Sequence, residues 1–233
     1  MNTRTAIARA VASEPEGSAR DRLIRAAERL FAERGFNGVS VREIAAMAEV
    51  NSASVAYYFR SKEGLLSEVY RRHCEPMNEE RWRLLAEAER RGDPPALAEV
   101  LEAFIRPALR PTGDARDGAR YSRLRAVLAG ENSELLDKLV AENFDQSSSI
   151  FITALARCLP QLPRDAIYWR FHFLLGTVYY TAAGPHRIRS LTEGRCDPGD
   201  VEAVIRELVP FLIAGLSAPI RSTPADRTEG GLP

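Results

Sequence analysis

The sequence predicts an all-α protein in which an N-terminal unit of three helices precedes a larger helical domain. Apolar residues recur at helical spacing in almost every segment, and breaks containing Gly or Pro separate the segments. No run of alternating β-branched residues indicates a strand. With 233 residues, 45% of them hydrophobic, the chain is long enough to bury a sizeable core.

The N-terminal unit begins with two clearly bounded helices. The first is predicted from Ala19 to Arg34, where apolar residues follow one face and Gly35 provides a stop. The second is predicted from Val41 to Met47. Ser40 and Glu43 stand at the spacing of a capping box, in which each side chain accepts a hydrogen bond from the other residue's backbone N–H.

Two more helices complete this unit and lead out of it. A short break at residues 49–51 precedes a third helix, predicted from Ser52 to Phe59. Ser61 caps a fourth helix, which we expect to reach about Arg91. Pro76 lies inside this stretch and has no backbone N–H, so we expect it to end or kink the helix.

The rest of the chain contains five predicted helical stretches after a Gly-Asp-Pro-Pro break at residues 92–95. They run from Leu97 to Leu109, Ala119 to Ala129, Leu135 to Leu159, Asp165 to Ala183 and Val201 to Leu216. Pro210 is expected to kink or shorten the last of them.

Charge and cysteine content narrow the class of protein. Net charge is zero, but residues 18–72 hold 10 basic and 7 acidic residues, whereas residues 73–217 hold 18 and 21. A mildly basic head therefore precedes a mildly acidic body. The three cysteines form no CxxC pair, and His73 and His186 have no ligands at metal spacing. We expect no metal and no cofactor. An apolar leader and a long apolar run are both missing, which predicts a cytoplasmic protein without a membrane segment.

The second and third helices have the spacing of a helix-turn-helix, in which a turn of about three residues joins two short helices. The first turn of the later helix must show small or polar side chains to base edges. Ser52, Ala53 and Ser54 meet that requirement. Lys62 stands at the start of the next helix, where free backbone N–H groups also favour a phosphate.

Three stretches at fixed spacing carry a resemblance to a known family. The first helix contains Ala-x-x-Leu-Phe-x-x-x-Gly-Phe at residues 27–36. Ser-Val-Arg-Glu-Ile-Ala follows at 40–45, and Val-Ala-Tyr-Tyr-Phe-Arg-Ser-Lys-Glu-Gly-Leu at 55–65. Residues 20–66 as a whole resemble the DNA-binding domain of TetR-type (AcrR-type) transcriptional regulators. Such a length with consistent spacing is a specific signal, whereas an isolated helix-turn-helix pattern is weak.

The resemblance implies roles for residues of the head. Arg42 would reach a base edge or the DNA backbone from the first turn of the second helix. The residues expected to meet bases in the major groove are Ser52, Ala53 and Ser54. Those expected to contact phosphate are Ser40, Tyr58 and Lys62.

Two positions depart from the family pattern. Glu49 stands where the turn usually has Gly, so the turn either avoids positive φ or is strained. Ala56 stands where the family often has a Tyr that contacts the DNA backbone. The neighbouring Tyr57 either takes that place at the DNA or packs inside the head, and the sequence leaves both arrangements open.

The resemblance also implies how the chain is divided. We expect a flexible arm (1–17), a helix-turn-helix DNA-binding domain (18–66), a helical domain for ligand binding and dimerisation (67–217) and a disordered tail (218–233). The body is loosely similar, around residues 124–151 and 169–173, to members that respond to fatty acids or xenobiotics. The family binds effectors between helices of the body, in pockets that are mostly apolar.

Aromatic and polar residues of the body are candidates for that pocket, although at helical spacing such residues are more often core. The candidates are Phe104, Tyr121, Phe144, Phe151, Trp169, His172 and Phe173. Among them, His172 is the most suggestive polar anchor.

The last two helices are predicted to form a homodimer interface, as they do in the family. The stretch from Asp165 to Ala183 is apolar on more than one face, as burial against its own domain and a partner requires. The interface candidates are Phe171, Val201, Val204, Ile205, Leu208 and Leu212. Packing within a single chain is the alternative.

The sequence therefore predicts a homodimeric regulator that binds double-stranded operator DNA and is released from it by a small apolar or amphipathic effector. A DNA-binding protein without an effector is the main alternative, and activation remains open beside repression. An all-helical enzyme finds little support, because the chain has no nucleophile elbow, no Gly-rich phosphate loop and no carboxylate–His metal set.

Overall fold

The computed structural model describes residues 17–110, 121, 123–124, 127–128, 134–183 and 185–220. Their backbone forms helices joined by turns, with no strand in this part of the chain, which confirms the all-α class. The expected arm, up to residue 16, and the expected tail, from residue 221, lie outside the described residues. Within the described ranges, no helix combines the length and the apolar character that crossing a membrane requires.

Wherever both ends of a predicted helix are described, they agree with the observed ends to within a residue. In chain order the helices are α1 (Ala19–Arg34), α2 (Val41–Met47), α3 (Ala53–Phe59), α4 (Lys62–Arg91), α5 (Leu97–Leu109), α6 (Glu134–Cys158), α7 (Arg164–Ala183), α8 (Pro185–Leu191) and α9 (Val201–Ser217). The sequence did not predict α8. Of the predicted helix from Ala119 to Ala129, residues 121, 123, 124, 127 and 128 are described, and they are helical.

Proline does not end either helix in which an end was expected. α4 continues through Pro76, and α9 continues through Pro210. At Pro76 the buried residues Cys74 and Met77 flank the proline on both sides. Their packing holds α4 together across the hydrogen bond that the proline cannot donate.

Two apolar clusters fill the described part of the protein. The upper cluster joins α1, α2 and α3 to the first half of α4, to Tyr121, Leu124 and Leu128 and to the first half of α6. The lower cluster joins the second half of α4 to α5, the second half of α6, α7 and α9. The expected boundary at residues 66–67 therefore falls inside a continuous helix, and α4 links the head directly to the body.

Candidate nucleic-acid interface

The start of α2 is held by the predicted capping box, which the structure confirms. The backbone N–H of Glu43 donates to Ser40 Oγ at 3.3 Å, and the backbone N–H of Ser40 donates to Glu43 Oε2 at 2.8 Å. Arg34 also donates to Glu43, at 2.8 Å. The Ser40 hydroxyl, its backbone N–H and Arg34, in that order, lower the pKa of Glu43 from its ordinary 4.5 to about 2. The loop before α2 is thereby fixed to both helices.

The turn between α2 and α3 adopts the strained geometry that Gly would relieve. Glu49 has φ 54°, so the turn does not avoid the left-handed region. Asn51 caps α3, because its Oδ1 accepts from the Ala53 backbone N–H at 2.8 Å. Among the described residues, the Ser52 side chain makes no capping hydrogen bond, so its exposed hydroxyl takes no part in holding the helix.

Helix α3 is anchored on one side and exposed on the other. Val55 and Phe59, one turn apart, are buried against the head. Tyr57 is 81% exposed, so the arrangement in which it packs inside the head is wrong. Its ring lies edge-on to that of Tyr58, with centroids 4.8 Å apart. Two adjacent phenol groups therefore stand on the outer side of α3.

The other residues expected at DNA differ in exposure. Ser52 and Ala53 are exposed at the start of α3, whereas Ser54 is half-buried. Arg42 is exposed in the first turn of α2. The outward faces of α2 and α3 thus carry a cation, small side chains and two tyrosines, a set that suits a DNA groove and its phosphates.

Lys62 has a structural role that the sequence did not reveal. Its Nζ donates to the carbonyl oxygens of Phe36 and Val39, each at 2.9 Å, and lies 4.0 Å from the centroid of the Phe36 ring. The ammonium group thus ties the start of α4 to the loop between α1 and α2. Its assignment to phosphate stays a prediction, since two of its three donors are already used by the protein.

A buried group of polar side chains connects the head to the body. Nε2 of His73 on α4 lies 3.2 Å from Oε1 of Glu28 on α1, and both side chains are buried. The His73 ring stacks on Tyr121, with centroids 4.2 Å apart. The hydroxyl of Tyr121 lies 2.9 Å from Cys74 Sγ. Sequence reasoning missed this contact because its members are far apart in the chain.

The predicted effector residues do not meet at one place. Phe104 and Phe151 are core residues of the lower cluster, with ring centroids 5.0 Å apart. Tyr121 and Phe144 belong to the upper cluster. The remaining three residues, Trp169, His172 and Phe173, are exposed on α7. Because His172 is exposed, it does not anchor an enclosed pocket in this arrangement.

The predicted dimer residues are mostly turned toward their own chain. Phe171 is wrong as an interface residue within the described packing, because it is buried against Phe104 with ring centroids 5.3 Å apart. Ile205 and Leu212 are buried in the lower cluster. The other candidates are half-buried on α9; they are Val201, Val204 and Leu208.

A different set of apolar residues faces outward on α7 and α9, and we call it the outer aromatic face. Its members are Trp169, Phe173, Tyr180 and Phe211, each more than 60% exposed. Gly176 and Gly215 lie at helical spacing within it, and a Cβ at either would meet no described atom within 4 Å. Open glycines beside exposed rings leave room for another helix to approach closely.

Comparison with known families agrees with this architecture. A family model described as bacterial regulatory proteins, tetR family, matches residues 23–69, which contain most of α1, all of α2 and α3 and the start of α4. A second model, the tetracyclin repressor-like C-terminal domain, matches residues 102–215. The chain belongs to the TetR family of bacterial transcriptional regulators. The resemblance inferred from residues 20–66 is confirmed.

Curated relatives share the head of this TetR-family protein. The probable HTH-type transcriptional regulator YttP of Bacillus subtilis (strain 168) is 51% identical over 49 residues, or 21% of this chain and 24% of the relative. The HTH-type transcriptional repressor KstR2 of Mycolicibacterium smegmatis is 42% identical over 59 residues, 25% of this chain and 28% of that one. The chain thus matches about a quarter of the length of either relative.

Solved structures share the fold of most of the chain. HlyIIR, a hemolysin II transcriptional regulator, superposes with a TM-score of 0.56 at 22% identity over 86% of this chain and 98% of that one. FadR from Bacillus subtilis, in complex with stearoyl-CoA, superposes with a TM-score of 0.57 at 18% identity, over 84% of this chain and 98% of that one. These similarities establish the head-and-body arrangement of the TetR fold.

Proposed function

We propose that this TetR-family protein is a homodimeric repressor that binds operator DNA through α2 and α3 and leaves it when a small effector binds the body. The observation that carries the proposal is the construction of α3. Its inner side is locked by Val55 and Phe59, while Ser52, Ala53 and Tyr57 point away from the head. A rigid helix with small polar residues on its exposed first turn suits the major groove.

The family and its members support regulation of transcription, and one curated relative of the head is named a repressor. A neighbour in fold is named as a complex with stearoyl-CoA. We take from this that the body of our protein accepts a small ligand. The domain limits that we propose for these two tasks are residues 18–66 and 67–217.

The outer aromatic face supports the homodimer. It exposes four large apolar side chains on two adjacent helices, which Arg170 of α7 ties together by donating to the Ala218 carbonyl at 2.6 Å. Several large apolar side chains exposed on neighbouring helices are a frequent sign of a protein–protein interface. A second copy would cover it and place two α3 helices on one duplex, at a separation that successive major grooves require.

The test is binding of the full-length protein to a duplex that it selects from random sequence. We expect a two-fold symmetric site and an affinity that falls steeply with salt. Arg42→Met, which removes an exposed cation from α2, should lower the salt slope by about one per contacting side chain. Arg83→Met removes an exposed cation from the distant half of α4 and serves as the matched control. Failure to select any duplex would refute the proposal, and so would equal slopes for the two variants.

A further inference from the structure

The outward side of α3 consists mainly of small side chains. Ser52, Ala53, Ala56 and Tyr57 are all exposed, whereas the two anchors of the helix are buried on the opposite side. Residues three and four apart lie next to each other on a helix, so these four side chains form one continuous surface. We call this surface the reading face. The buried anchors fix the orientation of α3 and keep the reading face turned outward.

The reading face lacks the side chains that recognise three of the four bases by paired hydrogen bonds. Guanine is read by Arg or Lys, adenine by Asn or Gln, and cytosine by Asp or Glu. The sequence of α3 is Ala-Ser-Val-Ala-Tyr-Tyr-Phe, which contains none of these residue types. Asn51 precedes α3, but its Oδ1 accepts from the Ala53 backbone N–H at 2.8 Å. A bidentate contact to adenine would need that same oxygen.

The reading face instead presents methyl groups. Ala53 and Ala56 are three residues apart, which places their Cβ atoms about 5 to 6 Å from each other. Thymine is the base whose edge in the major groove carries a methyl group, and alanine is among the side chains that make apolar contact with it. The hydroxyl of Ser52 both donates and accepts, so it fits several bases and discriminates weakly between them. The reading face is therefore best suited to thymine.

Arginines without a partner in the protein stand beside the reading face. Arg42 lies in the first turn of α2 and Arg60 directly follows α3. Both are exposed, and neither makes a hydrogen bond or an ion pair with the described part of the chain. Three arginines of α1 are instead paired with glutamates; they are Arg20, Arg29 and Arg34. The two unpaired cations are available to phosphates, and such contacts would hold the short side chains of α3 close to the bases.

We propose that α3 recognises its operator through the methyl groups of thymine, which Ala53 and Ala56 contact in the major groove, while Arg42 and Arg60 hold neighbouring phosphates. The inference rests on the proposed function and adds the chemistry by which the operator is distinguished from other DNA. Each half-site then contains thymine, on one strand or the other, where α3 lies. Removal of that methyl group alone weakens binding.

The test replaces thymine by uracil, one position at a time, in the duplex that the full-length protein selects from random sequence. Uracil lacks the C5 methyl group and keeps every hydrogen-bonding atom of thymine. Losing the burial of one methyl group should lower the affinity about fourfold at each contacted position. A selected half-site without thymine would overturn the inference. A duplex whose affinity is unchanged by uracil at every position would overturn it as well.

Glycine variants assign the methyl contact to α3. Ala53→Gly and Ala56→Gly remove the methyl group on the protein side. In at least one of them, the ratio of affinities for the thymine and uracil duplexes should fall from about four to about one at the matching position. Each variant is compared with itself on two duplexes, so a general loss of affinity or of helix stability cancels. Ala86→Gly, at an exposed position in the distant half of α4, makes the same change and should keep the fourfold ratio. A ratio that stays at about four in both α3 variants would refute reading by α3.

Salt dependence tests the phosphate contacts and separates this inference from the proposed function. Arg60→Met should lower the salt slope by about one, whereas Arg29→Met, at an exposed cation paired with Glu33, should leave it unchanged. An unchanged slope in Arg60→Met would contradict its contact with phosphate. A protein that selects a duplex but does not distinguish thymine from uracil retains the proposed function and loses this inference. Selection of no duplex would refute both.

Discussion

Replacing Lys62 tests whether this residue stabilises the head or only contacts DNA. Its ammonium group is shared by the carbonyls of Phe36 and Val39 and stands over the Phe36 ring. Lys62→Met keeps most of the aliphatic stem and removes the charge. The substitution leaves two carbonyls at the loop before α2 without their donor, and they can recover only part of that loss from water.

The expected loss of stability follows from these contacts. A hydrogen bond from a charged donor contributes about 1.5 to 3 kcal/mol, and the lower value applies to each here because Lys62 is half-buried. The cation–π contact adds about 0.5 to 1 kcal/mol. Together these contacts amount to about 3.5 to 4 kcal/mol, and the two carbonyls recover part of that from water, so we expect Lys62→Met to lower the free energy of unfolding by about 2 to 4 kcal/mol. For a chain of this size that corresponds to a drop in melting temperature of roughly 5 to 15 °C.

The assay is urea unfolding followed by circular dichroism, run beside operator binding at several salt concentrations. Arg42→Met is the control, since its side chain is exposed and its loss should change stability by less than about 0.5 kcal/mol. If Lys62→Met unfolds like the wild type while its salt slope falls by about one, Lys62 acts as a phosphate ligand and the structural role is refuted.

Three further predictions address the dimer, the junction and pH. Phe211 is 67% exposed in the single chain, and Phe211→Asp should give a folded monomer in ultracentrifugation. The control Val140→Asp, at an exposed position on α6, should remain dimeric. A dimeric Phe211→Asp would contradict the assignment of the outer aromatic face to the dimer interface. His73→Leu leaves the buried Glu28 side chain without its polar neighbour and should lower the free energy of unfolding by about 1 to 3 kcal/mol. Adding Glu28→Leu should restore most of that loss, and a loss below about 0.5 kcal/mol in the single variant would show that the contact is not stabilising. Because the pKa of Glu43 is depressed, the stabilising effect of its carboxylate is complete above pH 4.5 and is lost as the pH falls toward about 2. The melting temperatures of wild type and Glu43→Gln should therefore converge over that range. A constant difference between them would argue against a stabilising role of the carboxylate at the start of α2.

Much of the fold could be predicted because helix limits depend on residues close together in the chain. The capping box at Ser40 and Glu43 involves residues three apart, and the structure shows it as expected. The prolines were predicted less well. The sequence predicts that Pro76 and Pro210 end or bend their helices, and neither helix ends there, because packing by residues distant in the chain outweighs one lost hydrogen bond.

The candidate site was predictable only in part. Exposed positions at the start of α3 follow from the helical period and from its two buried anchors, Val55 and Phe59. Whether Tyr57 is buried or exposed could not be decided in this way, since a tyrosine suits a core or a surface equally well. The role of Lys62 was hidden because its partners lie more than 20 residues earlier in the chain.

By itself, the sequence determined the helices, the helix-turn-helix and the family, since all three rest on local spacing. Only the tertiary structure decided which aromatic residues of the body are core and which are surface. α7 is apolar around much of its circumference, so its pattern does not mark an inner side. The position of α5 and α9 against it buries Phe171 and leaves Trp169 and Phe173 outside. Likewise, Asn78 reaches the Asn143 carbonyl only because α4 and α6 pack in one particular register, and no local interaction specifies that register.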